Sequence, residues 1–250
     1  MKSKILTVLF SLSFSFNTFA TLGRESGGGN MLGGRMIESY IVDPTTISDA
    51  QALNERLMVI KEKNIDLFSL ISKGLIRPTW YFIPGTLKEL SENITGIPFT
   101  SEQIAIQNFD TNEIWIDETL YKNSQENGLI NNIERQKLLA HEALLGGYNS
   151  FLLNIGNTIP SLLDGSGITM PKFKKMVRTT VSLIFDPNLK AMTNIEVADH
   201  LKDIGWNMKP NGSLICFDYY VGDERSGARI YDSIPCSEVD QYFRNRNKDK

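Results

Sequence analysis

The stretch LLAHEALLGG, Leu138 to Gly147, holds the residues of this chain best suited to chemistry. An imidazole beside a carboxylate can move protons, bind a metal ion or form a buried hydrogen-bonded pair. His-Glu also opens the zinc signature H-E-x-x-H. That signature sets two imidazoles one helical turn apart, with the Glu beside the metal as general base for a bound water. Here the fifth position is Leu145. One helical His does not hold zinc alone, because a site takes three or four ligands. The other histidine is His200, in ADHLKD, with Glu196 one turn before it and Asp199 beside it. His141 and His200 are therefore the candidate metal ligands and Glu142 the candidate catalytic base. If they share one zinc, the two imidazoles must lie within about 7 Å of each other, since Zn–N bonds are about 2.0–2.1 Å.

A second reading needs no metal. Ile133, Leu138, Leu139, Ala140, Ala143, Leu144, Leu145, Tyr148 and Phe151 cover nearly every direction around a helix, so this helix belongs in the core. A buried Glu must be paired, hydrogen-bonded or neutralised. The candidate partners for Glu142 are His141, Arg135 and a basic residue on another helix. A polar ligand pocket around the pair is the third possibility.

The elements that would position this helix can be read from patterning. The unit EQIAIQNFDTNEIWIDETLY reads as two strands, Ile104 to Phe109 and Glu113 to Asp117, with Asp110, Thr111 and Asn112 as the turn. A polar loop rich in Asn and Gln follows. The His141 helix then runs from about Asn131 to Leu145 or beyond. Upstream, one amphipathic helix is expected from a cap at Ser48 or Asp49 to Gly74. TWYFIPG, Thr79 to Gly85, is a short aromatic strand whose side chains belong in the core. Downstream, PSLLDGSGITMP reads as a loop and Pro171 as the first residue of a helix. Thr193 and Glu196 form a capping box for a helix that stops at Gly205. A β-hairpin turns around Gly222 to Gly227.

A strand such as EIWID, then a loop, then a helix carrying L-x-A-H-E resembles the core of the zincin metallopeptidases, from Ile104 to about Tyr148. The resemblance implies an edge strand that aligns substrate and a helix that supplies two His ligands and the Glu. His141 and Glu142 match the first two motif positions and Leu145 departs from the third. More loosely, the chain is similar to secreted bacterial proteins, some from predatory species. These share a Gly-rich mature N-terminus, a β-hairpin and a lone H-E on an apolar helix. No activity comes with that similarity.

The ends and the composition bound the function class. MKSK, the apolar run ILTVLFSLSFSF and the small residues Thr18 and Ala20 read as a secretory signal peptide, residues 1–20, cut near Ala20. Its removal leaves 24 basic against 29 acidic residues, a balance that argues against nucleic acid as a partner. No later segment reaches about 18 consecutive apolar residues, so no membrane span is expected in the mature chain. Residues 21–35 hold six glycines and read as a flexible leader. Cys216 and Cys236 are expected to form a disulfide in an oxidising compartment. G-x-S-x-G, the mark of a serine nucleophile elbow, is absent from the chain.

The expected organisation is a signal peptide (1–20), the leader (21–35), one α+β domain (36–243) and a disordered tail (244–250). A small antiparallel sheet packs against several helices, with a C-terminal β-hairpin. The expected function is that of a non-catalytic exported protein, secreted or periplasmic, with a degenerate zincin-like core and no cofactor. Its partner would be a protein or a cell-surface component. The alternative is a zinc-dependent metallohydrolase with His141 as ligand and Glu142 as general base.

Overall fold

The computed structural model describes residues 31–32, 35–84, 87, 104–127, 132–154, 156–166, 168–222 and 229–246. The expected signal peptide and residues 21–30 of the leader lie outside these. The last part of the Gly-rich stretch forms β1 (Met31–Leu32), which pairs antiparallel with β2 (Arg35–Met36). The Tyr40 hydroxyl donates to Leu32 O at 2.8 Å and ties this ladder to the body.

The segment expected to form one helix to Gly74 forms two, α1 (Ser48–Lys63) and α2 (Ile65–Ile76). Asn64 makes the break. Its backbone is extended at φ −151°, ψ 99°, and its side chain accepts from Leu67 N at 2.9 Å, capping α2. Its amide also donates to Gly212 O at 3.1 Å, a partner far along the chain. Neither expected cap is used for α1. The residue ahead of the helix is Ile47, which makes no side-chain cap bond, and Asp49 turns inward.

Three strands form the central sheet: β3 (Thr79–Ile83), β4 (Ala105–Asn108) and β5 (Glu113–Asp117), in the order β3-β5-β4. The hairpin β4–β5 is antiparallel, as expected, and Asn112 takes φ 57° in its turn. β3 joins parallel to β5, so the sheet is mixed. β4 runs antiparallel to both, so it returns the chain to the end of the sheet at which β5 starts. Both faces are covered, so TWYFI and EIWID are buried at every position after the first. Trp80, Phe82, Ile114 and Ile116 face the main core. Tyr81, Ile83, Ile106 and Trp115 face a smaller cluster with Ile37, Tyr40 and Leu87.

The loop expected after β5 is a helix, α3 (Glu118–Asn127). Asp117 caps it by accepting from Leu120 N at 2.9 Å, and Tyr121 anchors it edge-on to Phe82. Next comes α4 (Asn132–Leu153), the His141 helix, buried on nearly all sides as its composition predicts. PSLLDGSG, expected to be a loop, contributes to α5 (Ile159–Ser166), with Ile159 and Leu163 buried one turn apart. α6 (Met170–Ile184) carries Pro171 in its first turn, and α7 (Asn194–Ile204) begins at the complete Thr193–Glu196 capping box and ends at Gly205, φ 115°. The C-terminal hairpin is β6 (Ile215–Gly222) with β7 (Arg229–Pro235). A final helix, α8 (Val239–Arg246), enters the first residues of the expected disordered tail, of which 247–250 lie outside the described residues.

Cys216 and Cys236 are disulfide-bonded at the base of the hairpin, with Cα atoms 4.9 Å apart. Closing this loop is worth roughly 3 kcal/mol through the entropy of the unfolded chain. The base is also held to α2. Buried Asp66 accepts from Leu214 N at 3.1 Å, Ser237 N at 2.9 Å and Ser237 Oγ at 2.6 Å. Lys73 donates to Cys236 O at 3.0 Å.

The helices α2 and α4 cross with their backbones in contact. A Cβ placed on Gly74 would lie 1.6 Å from Ala143 O, and one on Gly147 would lie 2.0 Å from Leu70 O. Both are backbone atoms and have no rotamer through which to yield. Gly74→Ala and Gly147→Ala are therefore expected to cost about 3 kcal/mol or more each, by forcing the helices apart. Gly156→Ala, at φ 71° with nothing within 4 Å, is expected to cost only about 1–2 kcal/mol of backbone strain. Denaturant midpoints of the three variants check the order; equal losses would remove the crossing as the critical contact.

Candidate functional site

The α4 face opposite Gly74 and Gly147 meets the sheet through polar groups. Gln107 on β4 lies across from Ile114, so it faces α4. Its amide donates to Glu142 Oε2 at 2.8 Å and to Glu142 O at 2.7 Å. The other carboxylate oxygen, Oε1, lies 2.9 Å from His141 Nδ1. Glu142 is buried, and both its oxygens are engaged. The His141 side chain is 19% exposed. Its Nε2 is buried and has no hydrogen-bond partner among the described residues.

Of the three expected partners for Glu142, the structure supplies His141. Among the described residues, neither Arg135 nor a basic residue of another helix is bonded to it. Arg135 is taken by Asp49: its Nε donates to Asp49 Oδ2 at 2.8 Å, with both side chains buried. The Tyr121 hydroxyl donates to the same oxygen at 3.0 Å, and the guanidinium lies 5.8 Å from the Tyr121 ring centre. Burial, and then the negative Asp49 it donates to, hold the Tyr121 phenol well above its ordinary range. This cluster joins α1, α3 and α4.

Gln107 is the partner that sequence reasoning missed. Its signal is present in AIQN, where a polar residue falls at the alternate position that should face the core. A second polar cluster lies just beyond Gly147, at Asn149 and Ser150. Asn149 donates to Phe109 O at 2.7 Å and accepts from Ile159 N at 3.2 Å. Asn112 donates to Ser150 Oγ at 2.8 Å. These bonds fix the β4–β5 turn and the start of α5 to α4. Together with Gln107 they set the hairpin's register on the helix.

His200 has different surroundings. It is exposed on α7, one turn after Glu196, and lines a groove between α6 and α7 with Lys175, Thr179 and Asp203. Gln107 and Glu142 are not among the residues lining that groove. Among the described residues, no three His, Cys, Asp or Glu side chains form a group that could hold a metal ion. Leu145, at the second ligand position of the signature, is buried in the main core. Comparison with protein-family models, with curated proteins and with solved structures returns no match. The site is therefore read from its own geometry.

Two outcomes follow. Gln107→Leu leaves a buried carboxylate oxygen without its donor and is expected to cost about 2 kcal/mol. In a double-mutant cycle with Glu142→Leu, the combined loss should fall short of the sum by at least about 1 kcal/mol; strict additivity would mean that the bond couples nothing. The second concerns alkaline pH. The unfolded chain releases the Tyr121 proton near pH 10, while the folded chain retains it. Stability is thus held below about pH 10 and lost as pH rises beyond it. Tyr121→Phe should flatten that decline between about pH 9 and 11 in equilibrium unfolding, and an unchanged slope would contradict the assignment.

Proposed function

We propose that this chain is a non-catalytic exported protein that binds a protein or cell-surface component, and that its His-Glu helix is a structural descendant of a zincin-like core. The observation that carries the reading is the occupancy of Glu142. A general base must come within hydrogen-bond reach of the water it deprotonates, and here the Glu142 carboxylate is buried, with His141 and Gln107 each bonded to one of its oxygens. The side chain acts as a strut between α4 and the edge strand β4. The zincin-like likeness rests on the sequence motif itself: EIWID is the central strand of the sheet and α3 stands between it and the His-Glu helix. Export is supported by the apolar N-terminal run and by the disulfide. In addition, no described helix is long and apolar enough to cross a membrane.

One observation favours the metallohydrolase reading. His141 has Nδ1 on a carboxylate and Nε2 without a partner, the arrangement of an imidazole that ligates through one nitrogen and is oriented through the other. The donor set does not complete such a site, however. Position 145 is a buried Leu, and the described residues assemble no third ligand.

Elemental analysis of residues 21–250, with His141→Ala alongside, tests the proposal. The expected outcome is less than about 0.1 zinc per chain in both, because a complete site needs three or more ligands. About one zinc per chain in the parent, lost in the variant, would overturn the non-catalytic reading in favour of the metallohydrolase.

A further inference from the structure

On α6 the exposed side chains Lys172, Lys175 and Arg178 recur every three residues, and the half-buried Lys174 lies among them. The helix carries no acidic residue, although the chain as a whole has a net charge of −3. None of these four cations forms an ion pair with a described residue; the described basic side chains that do are Lys73, Arg77, Lys122, Arg135, Lys137 and His141. Beside this strip runs the open groove between α6 and α7, of about 620 Å³, a volume within the range of ligand sites. Its floor is apolar, formed by Met176, Leu183 and Ile204, and His200 and Asp203 stand on the α7 wall. Lys172 and Lys175 line one end and Asp186 the other. At 1.5 Å per residue, the run from Lys172 to Asp186 is about 20 Å long. An extended chain covers that length with about six residues.

We infer that this groove docks an extended polypeptide segment with carboxylates at the Lys172–Lys175 end, aliphatic side chains on the floor and a basic group at Asp186. Charge and shape argue for this occupant together. The unpaired cations call for an anion, and the apolar floor between charged ends calls for a chain that is apolar in its middle. A planar layer of anionic headgroups would reach the lysines but leave the concave floor unfilled. The inference names a partner for the binding role proposed above and so rests on it. Peptide binding reads the groove and metal content reads α4, so the two can fail separately.

The test is fluorescence anisotropy of the mature chain with a labelled peptide Glu-Glu-Leu-Val-Leu-Lys and its charge-reversed counterpart Lys-Lys-Leu-Val-Leu-Glu. The first should bind at least about tenfold more tightly, and raised salt should weaken it. In the double variant Lys172→Glu with Lys175→Glu, both at exposed positions and checked for folding by circular dichroism, the preference should invert. Equal affinities, or no binding of either peptide, would overturn the inference. So would binding of phosphatidylglycerol vesicles without binding of peptide, or sedimentation showing a dimer that the double variant abolishes.

Discussion

The backbone contact between α2 and α4 is the constraint on which the other elements depend. Helices with ordinary side chains at the crossing pack about 8–10 Å apart. Here Gly74 meets the backbone at Ala143, and Gly147 meets it at Leu70. Neither position has room for a methyl group. The neighbouring Gly146 takes the third close approach, where a Cβ would lie 2.8 Å from Pro78 and 3.0 Å from Ile114. The two glycines of LLGG, about 100° apart around the helix, thus serve different neighbours: Gly147 admits α2, and Gly146 admits Pro78 and the sheet at Ile114. The Trp80 indole donates to Gly74 O at 3.2 Å and closes the corner where α2 leads into β3.

With α4 clamped on both sides, its polar residues can reach fixed partners. Arg135 meets Asp49 of α1, Glu142 meets Gln107 of β4, and Asn149 meets both the hairpin turn and the start of α5. Each bond is made in the interior, where an unmade one costs more than a made one contributes. A central helix that is apolar all round could slide or rotate with little penalty. This one is held in a single rotation and register by polar groups on different sides. His141 and Glu142 belong to that set by burial and bonding, and they differ from it in one respect: the free Nε2 of the imidazole.

Much of this was legible in the sequence, and the rest was not for physical reasons. The Thr193–Glu196 box, the stop at Gly205, the β4–β5 hairpin and the buried character of α4 rest on residues close together in the chain. The break at Asn64 was missed because the bond that completes it goes to Gly212. The helix α5 was missed because its Gly and Ser content reads as a loop, while its first turn is secured by Asn149. Parallel pairing of β3 was hidden because a strand's composition does not encode its neighbour's direction. At the site, the lone His-Glu pair was visible, but the partner of Glu142 lies on a strand 35 residues earlier. Only the polar residue at a core-facing strand position pointed to it.

Asp66 has a consequence for oxidative maturation. One carboxylate receives the chain just before Cys216 and just after Cys236, so it aligns the two segments whose thiols must meet. Docking on α2 and joining of the cysteines are thermodynamically linked, and each favours the other to the same extent. A thiol pair preorganised in this way has a higher effective concentration than the same pair in a free hairpin. Conversely, a reducing compartment would loosen the contact between α2 and the C-terminal hairpin as well as the bridge itself. The complete fold is therefore tied to the redox state of its surroundings by an aspartate that takes no part in the sulfur chemistry.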